Sequence, residues 1–369
     1  MKKPNRSTAT AASAAAGRHH GFHDGLAQGY RMGRCQHVLD TSQPAPWPMR
    51  EVSVLFVVQG FDGIDQGIID GLRQTARVVY TTTAADMLRL AQELRPNLVL
   101  VMNGLHVFPA EHPAQIEAVR QLGIRTAIWF ADDPYFSDQS VALAPHYDYV
   151  FTHETSCLPL YQSAGCSRVY HLPLASNPAV FKPVPVNTAY MSDICFIGTG
   201  FPNRLAIINA MTPFLIGKRV VLAGGLWDRL NHYALLRQGI KLHWVPIEET
   251  VKYYNGASIV LNIHRHTEND TYNKNSRGLP GYSINPRTYE IAGCGAFQIT
   301  DFRHELAQFY SPGQDVETFQ HPQELVQKMA HYLQHGEERQ RIAMNGLRRT
   351  LLHHTYAERL TRILNVVFS

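Results

Sequence analysis

Apolar and polar positions change their period several times along the chain, and each change marks a boundary. Between residues 17 and 33, glycine recurs at Gly17, Gly21, Gly25, Gly29 and Gly33. A step of four lays these glycines in a slowly drifting stripe if the segment is helical. Each glycine costs a helix about 1 kcal/mol relative to alanine, so a helix here needs a close packing contact, such as self-association, to offset the loss. A flexible arm whose spacing is accidental is the other reading, and both stay open. Residues 1–16 are small, polar and alanine-rich; they bury too little to order themselves and are expected to be disordered. The proline-rich run Gln43–Pro48 behaves as a semi-rigid linker, so residues 1–50 form an arm and linker.

From Val52 onward, short β-branched runs alternate with helical patterns, the signature of βαβ units around a parallel sheet. Strands are expected at 52–58, 78–80, 98–102, 126–130, 149–151 and 169–172, which assigns residues 51–183 to one doubly wound domain. The proline-rich segment from Pro173 to Pro185 suits an extended connection. The pattern then restarts. Strands at 194–197, 219–222, 241–244, 258–262 and 296–300 place a second Rossmann-type domain at 184–350. Apolar residues three and four apart, among them Leu325, Met329, Leu333, Leu351, Leu360 and Ile363, predict helices through 321–366. The last of these, in 351–369, is a candidate to pack back on the first domain.

Composition narrows the function classes. A chain of 369 residues with 45% hydrophobic content supplies two cores of ordinary size. The net charge of +4 comes from scattered Lys and Arg, which argues against nucleic acid as a partner. Mild basicity suits an anionic small ligand such as a nucleotide diphosphate. The five cysteines, Cys35, Cys157, Cys166, Cys195 and Cys294, form no CxxC pair and point to a reducing compartment. No apolar run approaches a membrane span and no secretory core follows Met1, so a cytoplasmic location is expected. His19, His20 and His23, and the pair His264 and His266, complete no ligand set with a carboxylate or cysteine, so no metal is expected.

Open parallel sheets bind ligands at the carboxyl ends of their strands. The first candidate loop is Gly198-Thr199-Gly200 through Arg204, where glycine lets the backbone approach a phosphate and Arg204 can neutralise it. Such turns are common, and purely structural glycines are the competing reading. The second runs from Gly281 to Glu290. Ser283 or Asn285 can cap a helix that Pro286 starts, with free amides and Arg287 toward an anion and Glu290 one turn further in, placed for ribose hydroxyls. Alternatively, Arg287 and Glu290, three apart, only pair with each other.

At these residues the chain resembles the spore-maturation CgeB family of glycosyltransferases. The resemblance is carried by the Cys195-to-Arg204 loop, the segment Ile259 to Arg265, the Asn285-x-Arg287-x-x-Glu290 helix and His354-Thr355-Tyr356-x-x-Arg359-Leu360. Trp129 to Pro134 and the glycine-periodic arm extend it over almost the whole chain. It implies the GT-B fold: two Rossmann-like domains facing each other across a cleft, the N-terminal one presenting an acceptor and the C-terminal one holding a nucleotide-sugar. Glu290 corresponds to the family's ribose-binding glutamate. Related enzymes carry a second glutamate eight residues earlier that addresses the donor sugar; Tyr282 stands there in this chain, which leaves the sugar and the stereochemical outcome open.

The same resemblance puts Trp244 and Val245 beside the nucleobase, although Trp244 can equally be core. It brings His264 to the sugar or a phosphate, unless it is a satisfied structural histidine. Asp132 or Asp133 would act as base for an acceptor hydroxyl or hold the acceptor, or else cap a turn at Pro134. With no metal cofactor, Arg204, Arg287 and helix amides would stabilise the leaving diphosphate. The implied partners are a donor, a uridine nucleotide-sugar by preference, and an acceptor that is a protein or a glycan at the spore or cell surface. Two competing readings are a non-catalytic scaffold that keeps the nucleotide pocket and a nucleotide-sugar epimerase.

Overall fold

The computed structural model describes residues 6–369, apart from the side chains of residues 6–16 and His20. Two six-stranded parallel sheets organise the chain. The first contains β1 (Arg50–Val57), β2 (Ala76–Thr82), β3 (Leu98–Met102), β4 (Arg125–Phe130), β5 (Tyr149–Thr152) and β6 (Val169–His171) in the order β2-β1-β3-β4-β5-β6. The second contains β7 (Ser192–Ile197), β8 (Val220–Ala223), β9 (Ile240–Lys241), β10 (Ala257–Asn262), β11 (Gln298–Asp301) and β12 (Glu317–Phe319) in the order β12-β11-β10-β7-β8-β9. The expected α/β architecture is thus present.

Both faces of the first sheet are covered, which is why its strands read as continuous apolar runs. Val54 and Phe56 enter one core with Leu98, Leu100 and Trp129. Leu55 and Val57 point the other way, with Val99, Val101 and Ile128, the two-residue alternation of a pleated strand. In the second domain, the strand expected at 241–244 ends at Lys241, and residues 242–246 form a loop. The short edge strand β12 was not expected: three residues carry no usable period, and its Glu317 is a buried carboxylate that accepts from Tyr332 Oη at 2.7 Å and pairs with Lys328 at 3.0 Å.

Each sheet reverses its strand order at one point, between β1 and β3 and between β7 and β10. A crevice opens at such a point, outside the carboxyl ends of the strands.

After β1 the chain crosses between the domains twice. The extended connection leaves β6, and its Phe181 is buried against Val251, Tyr254, Val260 and Ile291 of the second domain. The helix Tyr356–Val367 returns to the first domain, where Tyr356, Leu360, Ile363, Leu364 and Val367 join the core around Phe56 and Trp129. It rests on the helix Asp62–Thr75 at Gly67 and Gly71; a Cβ on Gly71 would lie 2.6 Å from a Leu360 methyl and 2.9 Å from the Tyr356 carbonyl carbon. Thr355 caps this last helix, and Arg359 donates to the Pro173 carbonyl at 3.0 Å.

Of the start expected to be disordered, residues 1–5 lie outside the described residues. The backbone of residues 6–16 is instead helical, the first turns of a helix spanning Arg6–Thr41; alanine is the best helix former, and the helical stretch that follows supplies the nucleus. Its C-terminal part docks on the second domain. Cys35 and Val38 are buried against Leu347 and Leu351, and Arg31 donates to the Cys294 carbonyl at 2.7 Å and to Asn255 Oδ1 at 2.9 Å. The five glycines face open space, so the contact that would offset their cost is not supplied among the described residues.

Candidate functional site

The loop after β7 is shaped by glycines that admit no substitute. Gly224 has φ +132°, and a Cβ there would sit 2.5 Å from the Gly198 carbonyl oxygen. That same oxygen accepts from Trp227 Nε1 at 2.9 Å. A Cβ on Gly198 would stand 3.3 Å from the Arg204 guanidinium and 3.5 Å from that of Arg287. The bare backbone at Gly198 therefore lets two arginines gather at one spot.

Arg204, in the first turn of the helix Pro202–Leu215, is only 3% exposed. Its Nε donates to the Ile263 carbonyl and its Nη1 to the Thr199 carbonyl, each at 2.8 Å. The guanidinium lies over Phe196 and Phe201. Burial, and then the neighbouring Arg287 charge, bring its pKa down to about 9. Two cations forced together without a carboxylate between them form a site short of negative charge.

Arg287 and Glu290 sit in the helix Pro286–Gly293, and neither side chain makes a hydrogen bond or ion pair among the described residues. The alternative that they only pair with each other is therefore not the observed arrangement. Burial at the site wall pushes Glu290 up to about 7, against the pull of Arg287.

The loop leading into this helix is less free than its sequence implies. Asn285 caps the helix by accepting from the Thr288 amide and exchanges carboxamide hydrogen bonds with Asn262 at 2.9 and 3.0 Å. The Asn285 amide donates to His264 Nε2 at 2.9 Å. The proton of His264 must then sit on Nδ1, which faces Asp301 Oδ1 at 2.6 Å. Burial lowers the His264 pKa to about 4. His264 is thus a neutral histidine with both nitrogens engaged, and the expectation that it touches the sugar or a phosphate is corrected: it positions Asn285. Ser283 is corrected likewise, since its amide donates to Glu154 Oε2 at 3.0 Å and its hydroxyl to Glu305 Oε2 at 2.6 Å.

On the N-terminal side, the two adjacent aspartates diverge. Asp133 is buried; it accepts from Thr152 and Tyr161 hydroxyls at 2.6 Å each and from Ser140 at 3.1 Å. Burial raises its pKa. A carboxylate held by three hydroxyls inside the core is a structural hub, which removes Asp133 as a base. Asp132 keeps its carboxylate at the cleft, with Oδ2 accepting from Asn103 Nδ2 at 2.9 Å and from His106 Nε2 at 2.8 Å.

These walls enclose a cavity of about 590 Å³ between the domains. Gly198, Arg204, Trp244, Val245, Ser283, Asn285, Arg287, Glu290, Asp132, Asp133 and His264 all border it, so the structure gathers every residue singled out from the sequence. Trp244 is 75% exposed at the rim, which sets aside its reading as core, whereas Val245 is buried with Cys195, Ala223 and Tyr253.

Sequence reasoning missed the residues that join the two walls. Glu154 of the first domain accepts from the Tyr282 and Ser283 amides of the second, and Glu305 of the second accepts from the Thr155 hydroxyl of the first. Arg265 lies against Tyr135 at 4.9 Å and Phe201 at 4.4 Å. No local period or motif announces the pairs that cross between the domains, because each is made by residues more than a hundred positions apart. Among the described residues, no group of three His, Cys, Asp or Glu side chains could hold a metal ion, and no helix is long and apolar enough to cross a membrane.

Comparison with known proteins agrees with this geometry. Residues 204–365 match the sequence model of a glycosyl transferase-like family. The spore protein CgeB of Bacillus subtilis strain 168 is 28% identical over 316 residues, covering 83% of this chain and 96% of that one. Among solved structures, HepE of Anabaena, crystallised with UDP and glucose, superposes with a TM-score of 0.58 at 12% identity, over 86% of this chain and all of that one. Sucrose-phosphate synthase of Thermosynechococcus elongatus gives a TM-score of 0.56 at 12% identity, over 86% of this chain and 99% of that one. At such identities these structures establish the fold. The chain thus has the GT-B fold, is similar over residues 204–365 to a glycosyl transferase-like family, and is similar across most of its length to the spore protein CgeB.

Proposed function

We propose that the cleft binds a uridine diphosphate sugar and transfers the sugar to a hydroxyl of a protein or glycan acceptor at the spore or cell surface. The observation that carries this reading is the trio at the C-terminal wall: Arg204, held by two carbonyls and no carboxylate, gathered with Arg287 at Gly198, and Glu290 one turn along the same helix as Arg287. Opposite charges on one helix that do not pair, inside a cavity, describe a site completed by a ligand carrying both an anion and hydroxyl donors. A nucleoside diphosphate has that combination. HepE, a fold relative crystallised with UDP and glucose, supports the choice of uridine.

In this reading the diphosphate lies between Arg204, Arg287 and the Arg287 amide at the helix N-terminus. These groups stabilise the charge that develops as the sugar's C1–O bond breaks, without a metal. Glu290 accepts from the ribose hydroxyls, the backbone around Val245 meets the base edge, and Trp244 covers the base at the rim. The acceptor hydroxyl enters from the N-terminal wall at Asp132. A non-catalytic scaffold that keeps only the pocket is favoured by one feature: at Tyr282, where a sugar-binding glutamate stands in related enzymes, the ring packs edge-on against His304 at 5.2 Å.

Calorimetric titration of the purified protein with UDP, UDP-glucose, UDP-N-acetylglucosamine and a deoxythymidine diphosphate sugar, with and without magnesium, tests the proposal. Metal-independent binding of a uridine nucleotide, followed by slow UDP release from the bound sugar nucleotide, is expected. No binding to any of the four refutes it; binding without release on any acceptor favours the scaffold.

A further inference from the structure

The loop that follows β3, Asn103-Gly104-Leu105-His106, is unlike the other loops that reach the cleft. Asn103 has φ +59° and His106 has φ +61°, two non-glycine residues in the left-handed region within four positions. Such conformations persist only where the surroundings over-determine them. Here both side chains converge on one atom: Asn103 Nδ2 and His106 Nε2 donate to Asp132 Oδ2 at 2.9 and 2.8 Å.

Asn103 is fully buried and also accepts, through Oδ1, from the Ala131 and Asp132 amides at 3.1 Å each. Its own amide donates to the Trp129 carbonyl at 2.9 Å. Backbone and carboxylate of Asp132 are thus gripped by one side chain, while His106 closes on the carboxylate from the solvent side and packs edge-on against Phe136 at 4.5 Å. The second carboxylate oxygen, Oδ1, has no partner among the described residues, and Asp132 borders the cavity. The neighbouring Asp133 shows that a carboxylate here can be buried and satisfied; Asp132 is instead held with one oxygen spent and one free.

We propose that Asn103 and His106 are positioning residues for Asp132, and that Asp132 Oδ1 is the group that takes the proton of the acceptor hydroxyl. This rests on the transfer reading above. In the step, the acceptor oxygen forms the new bond to the sugar's C1 and the C1–O bond to the diphosphate breaks. The diphosphate leaves with the electron pair, and the hydroxyl proton passes to Asp132 Oδ1. Two hydrogen bonds to Oδ2 fix the orientation of the carboxylate and leave Oδ1 to accept. The groups that face Asp132 from the packed elements are His106 and Asn103 from the β3 loop and, from the second domain, the cation Arg265.

His106→Ala, His106→Gln and Asn103→Ala are compared with the wild type in the full-length protein, using UDP-glucose with water as acceptor. UDP release and calorimetric UDP affinity are both measured. His106→Ala and Asn103→Ala are expected to lower kcat roughly tenfold or more while UDP affinity stays within about twofold. His106→Gln, whose carboxamide can still donate, recovers most of the rate. His106 is partly exposed, so its variants fold even where Asn103→Ala does not. Unchanged kcat in His106→Ala, or a loss that His106→Gln does not recover, with UDP still bound, overturns the inference and leaves the donor reading standing. A wild type that neither binds UDP nor releases it from UDP-glucose overturns both.

Discussion

Replacing Glu290 by glutamine removes a charge while keeping the shape of the side chain and one oxygen that can accept a hydrogen bond. In the empty site, burial holds this carboxyl near pH 7, with Arg287 as the opposing influence. If ribose hydroxyls donate to it, the ionised form binds the donor and the protonated form does so weakly. At pH 8 about nine-tenths of the sites are ionised and at pH 6 about one-tenth, so affinity for UDP-glucose should fall roughly tenfold between them, about 1.4 kcal/mol. A hydrogen bond to a charged group is worth about 1.5–3 kcal/mol, enough to sustain that difference. His264 does not interfere, because its pKa near 4 keeps it neutral throughout. Glu290→Gln should therefore bind roughly tenfold more weakly than wild type at pH 8, nearly equally at pH 6, and with no pH slope. Calorimetry with UDP-glucose at the two pH values reads this directly. A wild-type affinity that is flat from pH 6 to 8, or a variant that keeps the slope, refutes the assignment of Glu290 to the ribose.

Asp133→Asn should lower folding stability by about 1–3 kcal/mol, since an amide nitrogen would face hydroxyls now held by a carboxylate; Asp132→Asn, at the cleft, should leave the melting temperature nearly unchanged, and equal losses in both would undo the distinction drawn between them. Gly71→Ala should cost about 1–3 kcal/mol by overpacking, because the new methyl would meet Leu360 and the backbone at Tyr356 and Ala357; faster hydrogen exchange over residues 356–367 is the signature, and unaltered protection there would show that the last helix is not seated through this contact. Burial holds His112 and His264 near 4 and His354 near 3, so below pH 6.5 the unfolded chain takes up protons that the folded chain refuses. Each should withdraw about 3 kcal/mol of stability as pH falls from 6.5 to 4; urea midpoints that stay constant over that range would contradict it.

Much of the fold was legible because burial on both faces leaves no polar residue to interrupt a strand: Leu98–Met102 is entirely apolar and buried, and its bounds are the same in sequence and structure. Pro286 and Asn285 announced their helix for an equally local reason, the missing amide of one and the capping oxygen of the other. The loop at 242–246 was misread because Leu242, Trp244 and Val245 are apolar for different reasons, Val245 packing in a core while Trp244 and Leu242 stay exposed at the rim of the cavity. His264 and Ser283 failed differently. Their residue types were right for ligand chemistry, but their polar atoms are taken by Asn285, Asp301, Glu154 and Glu305, and only the folded chain shows which donor is already spent. Asn103 and His106 gave no signal at all, since a left-handed backbone at a non-glycine residue leaves no trace in composition or spacing.

The carboxylates exchanged between the domains tie the width of the cleft to the geometry of the proposed donor site. Glu154 reaches from the first domain to the amides of Tyr282 and Ser283, and Ser283 in turn donates to Glu305, which takes the Thr155 hydroxyl from the first domain. The loop held in this way is the one whose Asn285 caps the helix bearing Arg287 and Glu290. Separating the domains would strip Glu154 of two amide donors, and burial has already raised its pKa, so an opened cleft must hydrate or protonate that carboxylate. It would also release residues 281–284 just ahead of the start of the helix that carries Arg287. Closure and pre-organisation of the donor site are then one event, because the hydrogen bonds that bring the walls together are the same bonds that hold the start of the helix in place.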